Sequence, residues 1–324
     1  MATDNLIITP PPHLKSKEQT AVAMRDVLIA LAPVTIAALV AFTYNALFVI
    51  AVCVGSCVLF EWIMCKIKKR KSTLADGSAV VTGLLLAFTC PASSPWWMIV
   101  IGAVAAIFLV KQLFGGIGYN IFNPALAARA LLLSSWPVAM TAWSEPVRSL
   151  ARMDAVSAAT PLGLMKEAAR TQSAFLPPGY LDQFLGNIPG SLGETSKAAL
   201  LAGAVLLLVL KIVDWRTPVS FLAAMAALSA VLGRNPAFDL LAGGAVLGAF
   251  FMATDLVTSP TTKAGRWIFG AACGLLTILI RAYGGFPEGV CYAILFMNAL
   301  NPMIEKYARP RRFGMRGLKK EAAK

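Results

Sequence analysis

Long apolar runs decide what this chain can fold into. Residues 27–42, 46–65, 198–213 and 237–253 each carry at most one charged side chain. Hydrophobic residues make up 58% of the 324 and charged residues only 14%, against roughly 25% charged in water-soluble domains. No packing in water covers that much apolar surface. The chain reads as an all-α integral membrane protein with several spans.

Charge then gives orientation. Twenty-nine basic residues against sixteen acidic ones leave a net charge of +13. In a soluble protein this would point to nucleic acid; in a membrane chain the tendency of basic loops to stay cytoplasmic accounts for it, with lipid as the partner. Residues 1–23 are polar, contain Pro10, Pro11 and Pro12, and lack a secretory signal. They read as a cytoplasmic tail.

The chain also repeats itself. Gly83, Thr89, Ser94 and Pro95 recur 165 residues later as Gly248, Thr254, Ser259 and Pro260. An aromatic–Gly–Gly follows in each half (Phe114-Gly115-Gly116, Tyr283-Gly284-Gly285), and then Asn-x-x-Asn-Pro (Asn120 to Pro124, Asn298 to Pro302). Single matches are chance; the ordered series indicates duplication. Five apolar segments are expected per half, centred near Ala32, Cys53, Leu84, Val104 and Leu131, and near Leu206, Ala224, Val246, Gly274 and Leu295. An odd number per copy makes the second enter from the opposite side, giving about ten transmembrane helices in two inverted five-helix repeats. With both termini cytoplasmic, 21 basic residues fall inside and seven outside (Arg148, Arg152, Lys166, Arg170, Lys197, Arg234 and Arg281). The expected layout is a tail at 1–23, a first repeat at 24–136, an extracytoplasmic loop at 137–197, a second repeat at 198–305 and a basic cytoplasmic tail at 306–324.

The reactive side chains exclude much. His13 is the only histidine, so this chain alone cannot hold a bis-His haem. Its six cysteines form no C-x-x-C and lie in or beside apolar runs, which suits small packing residues better than a cluster or structural zinc. No metal site is expected, and Gly115-Gly116-Ile117-Gly118 lacks the context of a dinucleotide loop. Arg129 falls within a span, where insertion costs about 2.5–3.5 kcal/mol, so it should face protein, a cofactor or an aqueous path. Asp255 is expensive on the same grounds, and the two are the ion-path candidates. The segments 89–95 and 254–260, with turns expected at the two Asn-x-x-Asn-Pro copies, read either as broken helices whose freed backbone groups need partners or as polar loops at membrane ends.

In the outside loop, Thr160-Pro161 reads locally as an N-cap and first helical residue. The same geometry suits a phosphate esterified to the Thr160 hydroxyl, because amides and dipole at a helix N-terminus favour negative charge.

Asp154-Ala155-Val156-Ser157-Ala158-Ala159-Thr160 resembles the flavinylation motif of membrane subunits that carry FMN as a phosphoester on threonine. Residues 116–125 and 251–260 are similar to the same family, and the likeness runs from about residue 24 to 305. The family comprises the D-type membrane component of Rnf ion-translocating ferredoxin:NAD oxidoreductases and the B-type component of sodium-translocating NADH:quinone oxidoreductases; length and tail are more similar to the former. The resemblance implies covalent FMN on Thr160, with Asp154 and Ser157 as motif neighbours, and a non-covalent riboflavin near the membrane subunits. It also implies an extracytoplasmic flavin transferase and partner subunits carrying flavins and iron–sulfur clusters in a bacterial cytoplasmic membrane. Ala158 departs from the family, which usually has glycine there. Two other functions fit the fold: the quinone-reducing relative, separable by operon neighbours, and a non-redox channel, which bound yellow flavin would exclude. No catalytic residue is assigned, and the isolated chain is expected to be inactive.

Overall fold

The computed structural model describes residues 20–69, 73–146, 157–173 and 176–309. It is built almost wholly of helices. The first half contains α1 (Thr20–Ile67), α2 (Ser78–Thr89), α3 (Trp96–Val104, continuing as a π-helix over Ala105–Gln112) and α4 (Pro124–Ser135). A connecting region follows: α5 (Pro137–Met140), β1 (Trp143–Ser144), β2 (Ser157–Ala158), α6 (Pro161–Thr171) and α7 (Tyr180–Leu185). The second half contains α8 (Lys197–Val209), α9 (Arg216–Val231), α10 (Pro236–Leu241), α11 (Ala245–Leu247, continuing as a π-helix over Gly248–Met252), α12 (Lys263–Tyr283) and α13 (Val290–Tyr307).

Each expected apolar centre lies in a helix, but the helices are unequal. The first two centres share α1, whose helical geometry breaks at Thr43 (φ 48°, ψ −117°). Among the described residues, α1 and α12 are long and apolar enough to cross a membrane by length and composition. By contrast α2, with 12 residues, spans about 18 Å, well short of a ~30 Å hydrocarbon core. Its end is closed by another part of the chain. The Phe88 and Cys90 carbonyls, left free where the helix stops, accept the Gly193 and Leu192 N–H groups at 2.9 and 3.2 Å. A Cβ on Gly193 would lie 2.3 Å from that of Phe88, so only glycine lets this loop approach. The need for partners at the broken segment 89–95 is met within the protein.

The two copies of Asn-x-x-Asn-Pro do different things. In the first, Asn123 caps α4, accepting from the Ala125 and Leu126 N–H groups at 3.1 and 3.3 Å, with Pro124 at the first helical position. In the second, the expected turn is absent: Asn301 and Pro302 lie inside α13. The first copy also joins the halves. Asn123 Nδ2 donates to the Met252 carbonyl at 3.3 Å, and the Asn298 side-chain oxygen accepts the Asn123 N–H at 3.1 Å.

Tight seams hold the second half together. A Cβ on Gly270 would lie 2.4 Å from the Thr217 carbonyl oxygen, and one on Gly274 would lie 2.2 Å from that of Phe221. This small-x-x-x-small spacing brings the backbones of α12 and α9 together, as helices do where lipid gives no hydrophobic drive to associate.

Connections gather at two ends. At one, Ser93 donates to the Ala142 carbonyl, Asn235 to Tyr180 and Lys166 to the Phe286 carbonyl. At the other, Lys68 donates to the Gln112 carbonyl, Arg266 pairs with Asp214, and Thr261 donates to Glu305. The first end draws in the 137–197 region; the second carries the loops that sequence reading assigned to the cytoplasm. All six cysteines are buried and free.

Candidate functional site

Thr160 is an N-cap. Its backbone is extended (φ −66°, ψ 156°), its hydroxyl accepts the Gly163 N–H at 3.1 Å, and Pro161 opens α6. The side chain remains half-buried, not enclosed. Upstream, β1 and β2 pair antiparallel, with Trp143 opposite Ala158 and Ser144 opposite Ser157. Ala158 is therefore extended, a conformation open to alanine, so the departure from glycine requires no left-handed backbone. Ser157 has a placed backbone in this ladder; Asp154 lies outside the described residues.

The Thr160 side chain stands on the rim of a cleft. Trp143, Leu162, Ile188, Pro189 and Pro287 give it apolar walls, and Glu194 and Glu288 lie in its lining. Beneath is a charged cluster drawn from both halves. Arg129, on α4, pairs with Glu288 from the α12–α13 connector. Glu288 also accepts the Gly244 N–H at 2.6 Å. Glu194, just ahead of α8, accepts the Ser191 N–H at 2.9 Å through Oε1, while Lys197 donates to its backbone carbonyl. Arg281, on α12, donates to the Asp239 and Ala242 carbonyls at 2.5 and 3.0 Å. Asp239 is held in turn by Arg234 at 2.7 and 2.8 Å.

The two cleft carboxyls have opposite electrostatics. Burial opposes charge on Glu288, but Arg129, the Gly244 N–H and Arg281 outweigh it and hold its carboxyl far below the usual range. Burial together with the neighbouring Glu288 pushes Glu194 up to about 7. A carboxyl with a dedicated cation stays charged; a buried neighbour without one takes the proton.

Sequence reading found Thr160 and Arg129 but not that they border one cluster, and it missed Glu194, Glu288, Lys197 and Arg281. A signal existed: with only sixteen acidic residues in the chain, Glu194 and Glu288 both sit at the edges of apolar segments. The other ion-path candidate, Asp255, lies elsewhere. It is half-buried, accepts from Thr258 at 3.0 Å, and lines a small cavity with Lys111, Asn120 and Asn123. Near that cavity a second buried ion pair went unread: Lys111 Nζ lies 2.8 Å from Glu61 Oε2, with Ser78 and Thr73 completing its hydrogen bonds.

Known proteins resemble this chain along nearly all its length. It is 45% identical to the D subunit of the Na+-translocating ferredoxin:NAD+ oxidoreductase complex of Acetobacterium woodii, covering 98% of each chain. It is 42% identical to the proton-translocating counterpart of Clostridium ljungdahlii, over 95% of this chain and 96% of that one. Identity to the D subunit of the ion-translocating oxidoreductase complex of Escherichia coli is 38%, over 95% and 98%. The model of the NQR2, RnfD, RnfE family matches residues 7–314, and the chain belongs to that family.

Proposed function

We propose that this chain is the D-type membrane subunit of an Rnf complex that couples electron transfer between ferredoxin and NAD to Na+ or H+ movement, and that it carries FMN as a phosphoester on Thr160. Near full-length likeness to subunits so named supports the first part. The observation that carries the second is the position of the Thr160 hydroxyl: half-exposed, at a helix N-terminus, on the rim of an apolar-walled cleft.

The residues fit such a group. The fit is at the phosphate end: the α6 N-terminus suits the phosphate, and Trp143, Pro189 and Pro287 wall the small cleft beside it. FMN, when bound, supplies the electron-carrying chemistry. The protein supplies tether, orientation and field: Thr160 fixes the position, Asp154 and Ser157 flank it for the transferase, and the Arg129 cluster sets the potential below. Riboflavin at the membrane subunits is the further cofactor.

The chain lies in the bacterial cytoplasmic membrane as ten crossings in two inverted repeats, termini inside. Contacts of the 137–197 region with the 90–95, 232–244 and 284–289 connectors at a single end support this threading. Arg129 and Asp255, at different depths, are the ion-path residues. Other flavin and iron–sulfur subunits supply donor and acceptor, because no nucleotide-binding domain is legible here. The test is denaturing electrophoresis of the purified complex: flavin fluorescence should stay with the 34.4 kDa chain. A dark band at that position overturns the FMN assignment.

A further inference from the structure

The seam between α9 and α12 ends in an exposed patch that is both aromatic and basic. Trp215, just ahead of α9, and Trp267, in the second turn of α12, meet edge to face with ring centroids 5.7 Å apart. They are 50% and 42% exposed. Val219 and Ile268, exposed beside them, continue the patch as aliphatic surface. Because α12 is long and apolar enough to cross a membrane, its end has a definite depth. Lys263 and Trp267, four residues apart, share a face, with Lys263 about 6 Å nearer the helix end. Tryptophan with a cation just beyond it marks a membrane–water interface. The charges there do not balance. Residues 210–216 and 261–267 hold four basic side chains (Lys211, Arg216, Lys263 and Arg266) and one acidic one, Asp214. Asp214 is clamped by both arginines, at 2.7 Å from Arg216 and 2.6 Å from Arg266, and the Arg216 guanidinium lies 5.3 Å from the centre of the Trp215 ring. Glu305, from α13, accepts the Thr261 N–H and hydroxyl at 3.0 and 2.8 Å. Among the described residues, exposed Lys211 and Lys263 form no ion pair. Four cations against two carboxylates leave two positive charges open.

We propose that this patch binds the headgroup of an anionic phospholipid. The occupant must be anionic at one end to balance Lys211 and Lys263, and apolar at the other to cover Trp215, Trp267, Val219 and Ile268. A phosphodiester that carries acyl chains is both. A neutral lipid covers the apolar part and leaves the charges open; a free phosphate does the reverse. The phosphate is met by the two lysines and by Arg216, while the indole rings pack against the glycerol and the upper acyl chains. The lysine stems lie along apolar surface and carry their charges out to the headgroup. Asp214 is the positioning residue: by holding Arg216 and Arg266 together it sets the ends of α9 and α12 at one level. None of this depends on the assignment of FMN to Thr160.

The test is site-directed photocrosslinking in the purified complex, held in nanodiscs of equal phosphatidylglycerol and phosphatidylcholine. The photoreactive residue p-benzoylphenylalanine takes the place of Trp267, and in a control it takes the place of Phe296, an exposed side chain on α13 that meets lipid without selection. Mass spectrometry of the adducts gives the ratio of the two lipids at each position. A lysine near an anionic headgroup favours it roughly fivefold, so adducts at position 267 should be enriched in phosphatidylglycerol by roughly fivefold or more over the control. Lys211→Gln combined with Lys263→Gln should bring the ratio down to that of the control, and added salt should lower it. Excess glycerol phosphate at matched ionic strength should leave it unchanged; loss of the enrichment would mean that the site takes free phosphate, against the proposal. Equal ratios at both positions, enrichment that survives in the double lysine variant, or crosslinks from position 267 to another subunit would each overturn it. If the complex does not assemble with the probe at Trp267, the probe in place of Trp215 carries the same expectations.

Discussion

Arg129 and Glu288 join the two halves of the protein, one from the last helix of the first half and the other from the final connector of the second. Their side chains are 8% and 16% exposed. Removing one partner strands the other in a poorly solvated site, which costs about 3–5 kcal/mol, whereas replacing both with apolar groups of similar volume comes much closer to neutral. Arg129→Met and Glu288→Met should therefore each lower the thermal stability of the detergent-solubilised complex markedly, and the double variant should recover most of the loss. Additive losses would show that the two side chains act independently.

Gly193 gives a second, purely steric test. Alanine there drives a methyl into Phe88 and loosens the N–H groups that close α2. Overpacking of this kind costs about 1–3 kcal/mol. Gly193→Ala should lower the melting temperature and abundance of the subunit. Gly55→Ala, in a helix with nothing within 4 Å of the added methyl, should leave both unchanged or slightly raised.

What was legible in the sequence follows from how each feature is encoded. Apolar runs and caps are local, so the ten apolar centres and the Thr160 cap could be read directly, while the short helices α5, α7 and α10 could not. Arg129 announced its need for a partner through cost alone. Its partner could not be named, because Glu288 is 159 residues away and no spacing rule links them. Glu194 belongs to no motif; it matters because Gly244 brings it beside Glu288. The second Asn-x-x-Asn-Pro misled for a different reason. Proline is compatible with a helix start, as at Pro124, but a membrane helix whose neighbours satisfy the freed carbonyl tolerates it internally, as at Pro302.

Orientation can be checked with fusions. Leu176 is 89% exposed and lies in the region assigned outside, whereas the tail beyond Lys320 is assigned to the cytoplasm. Alkaline phosphatase fused at Leu176 should be active, and green fluorescent protein fused after Lys320 should fluoresce. A cytoplasmic signal at Leu176 would reverse the threading and remove the transferase's access to Thr160.

Asp214 predicts a pH effect at the opposite end. It sits in the α8–α9 connector and pairs with Arg216 at 2.7 Å and Arg266 at 2.6 Å. Burial raises its pKa, but the Arg216 N–H and the two guanidinium groups outweigh that and hold it below the usual carboxylate range. A carboxyl whose pKa is lower in the folded state stabilises the fold above its unfolded pKa of about 3.9. That contribution disappears as pH falls through the lower, folded value. Thermal melts from pH 6 down to 3 should therefore fall more steeply in wild type than in Asp214→Asn, which lacks the contribution at every pH. Parallel curves would show that the clamp adds nothing.

Thr160 is both a cap and the proposed tether, and substitutions separate the roles. As a cap alone, Thr160→Ala costs about 0.5–2 kcal/mol locally, and Thr160→Asn is nearly silent because asparagine caps at least as well. As a tether, both remove the hydroxyl that forms the ester, and cap quality becomes irrelevant. The cap hydrogen bond to Gly163 lies in the connecting region, away from the long helices, so abundance should stay near wild type in both variants while covalent flavin and electron transfer disappear. Thr160→Ser keeps the hydroxyl and should retain attachment to the extent that the transferase accepts the missing methyl. Ser157→Ala alters a flanking motif position without touching the ester oxygen, so it should slow attachment, not abolish it. In-gel fluorescence normalised to protein level decides: signal surviving in Thr160→Asn excludes the tether, and loss in both Thr160→Ala and Thr160→Asn at unchanged abundance cannot come from the cap.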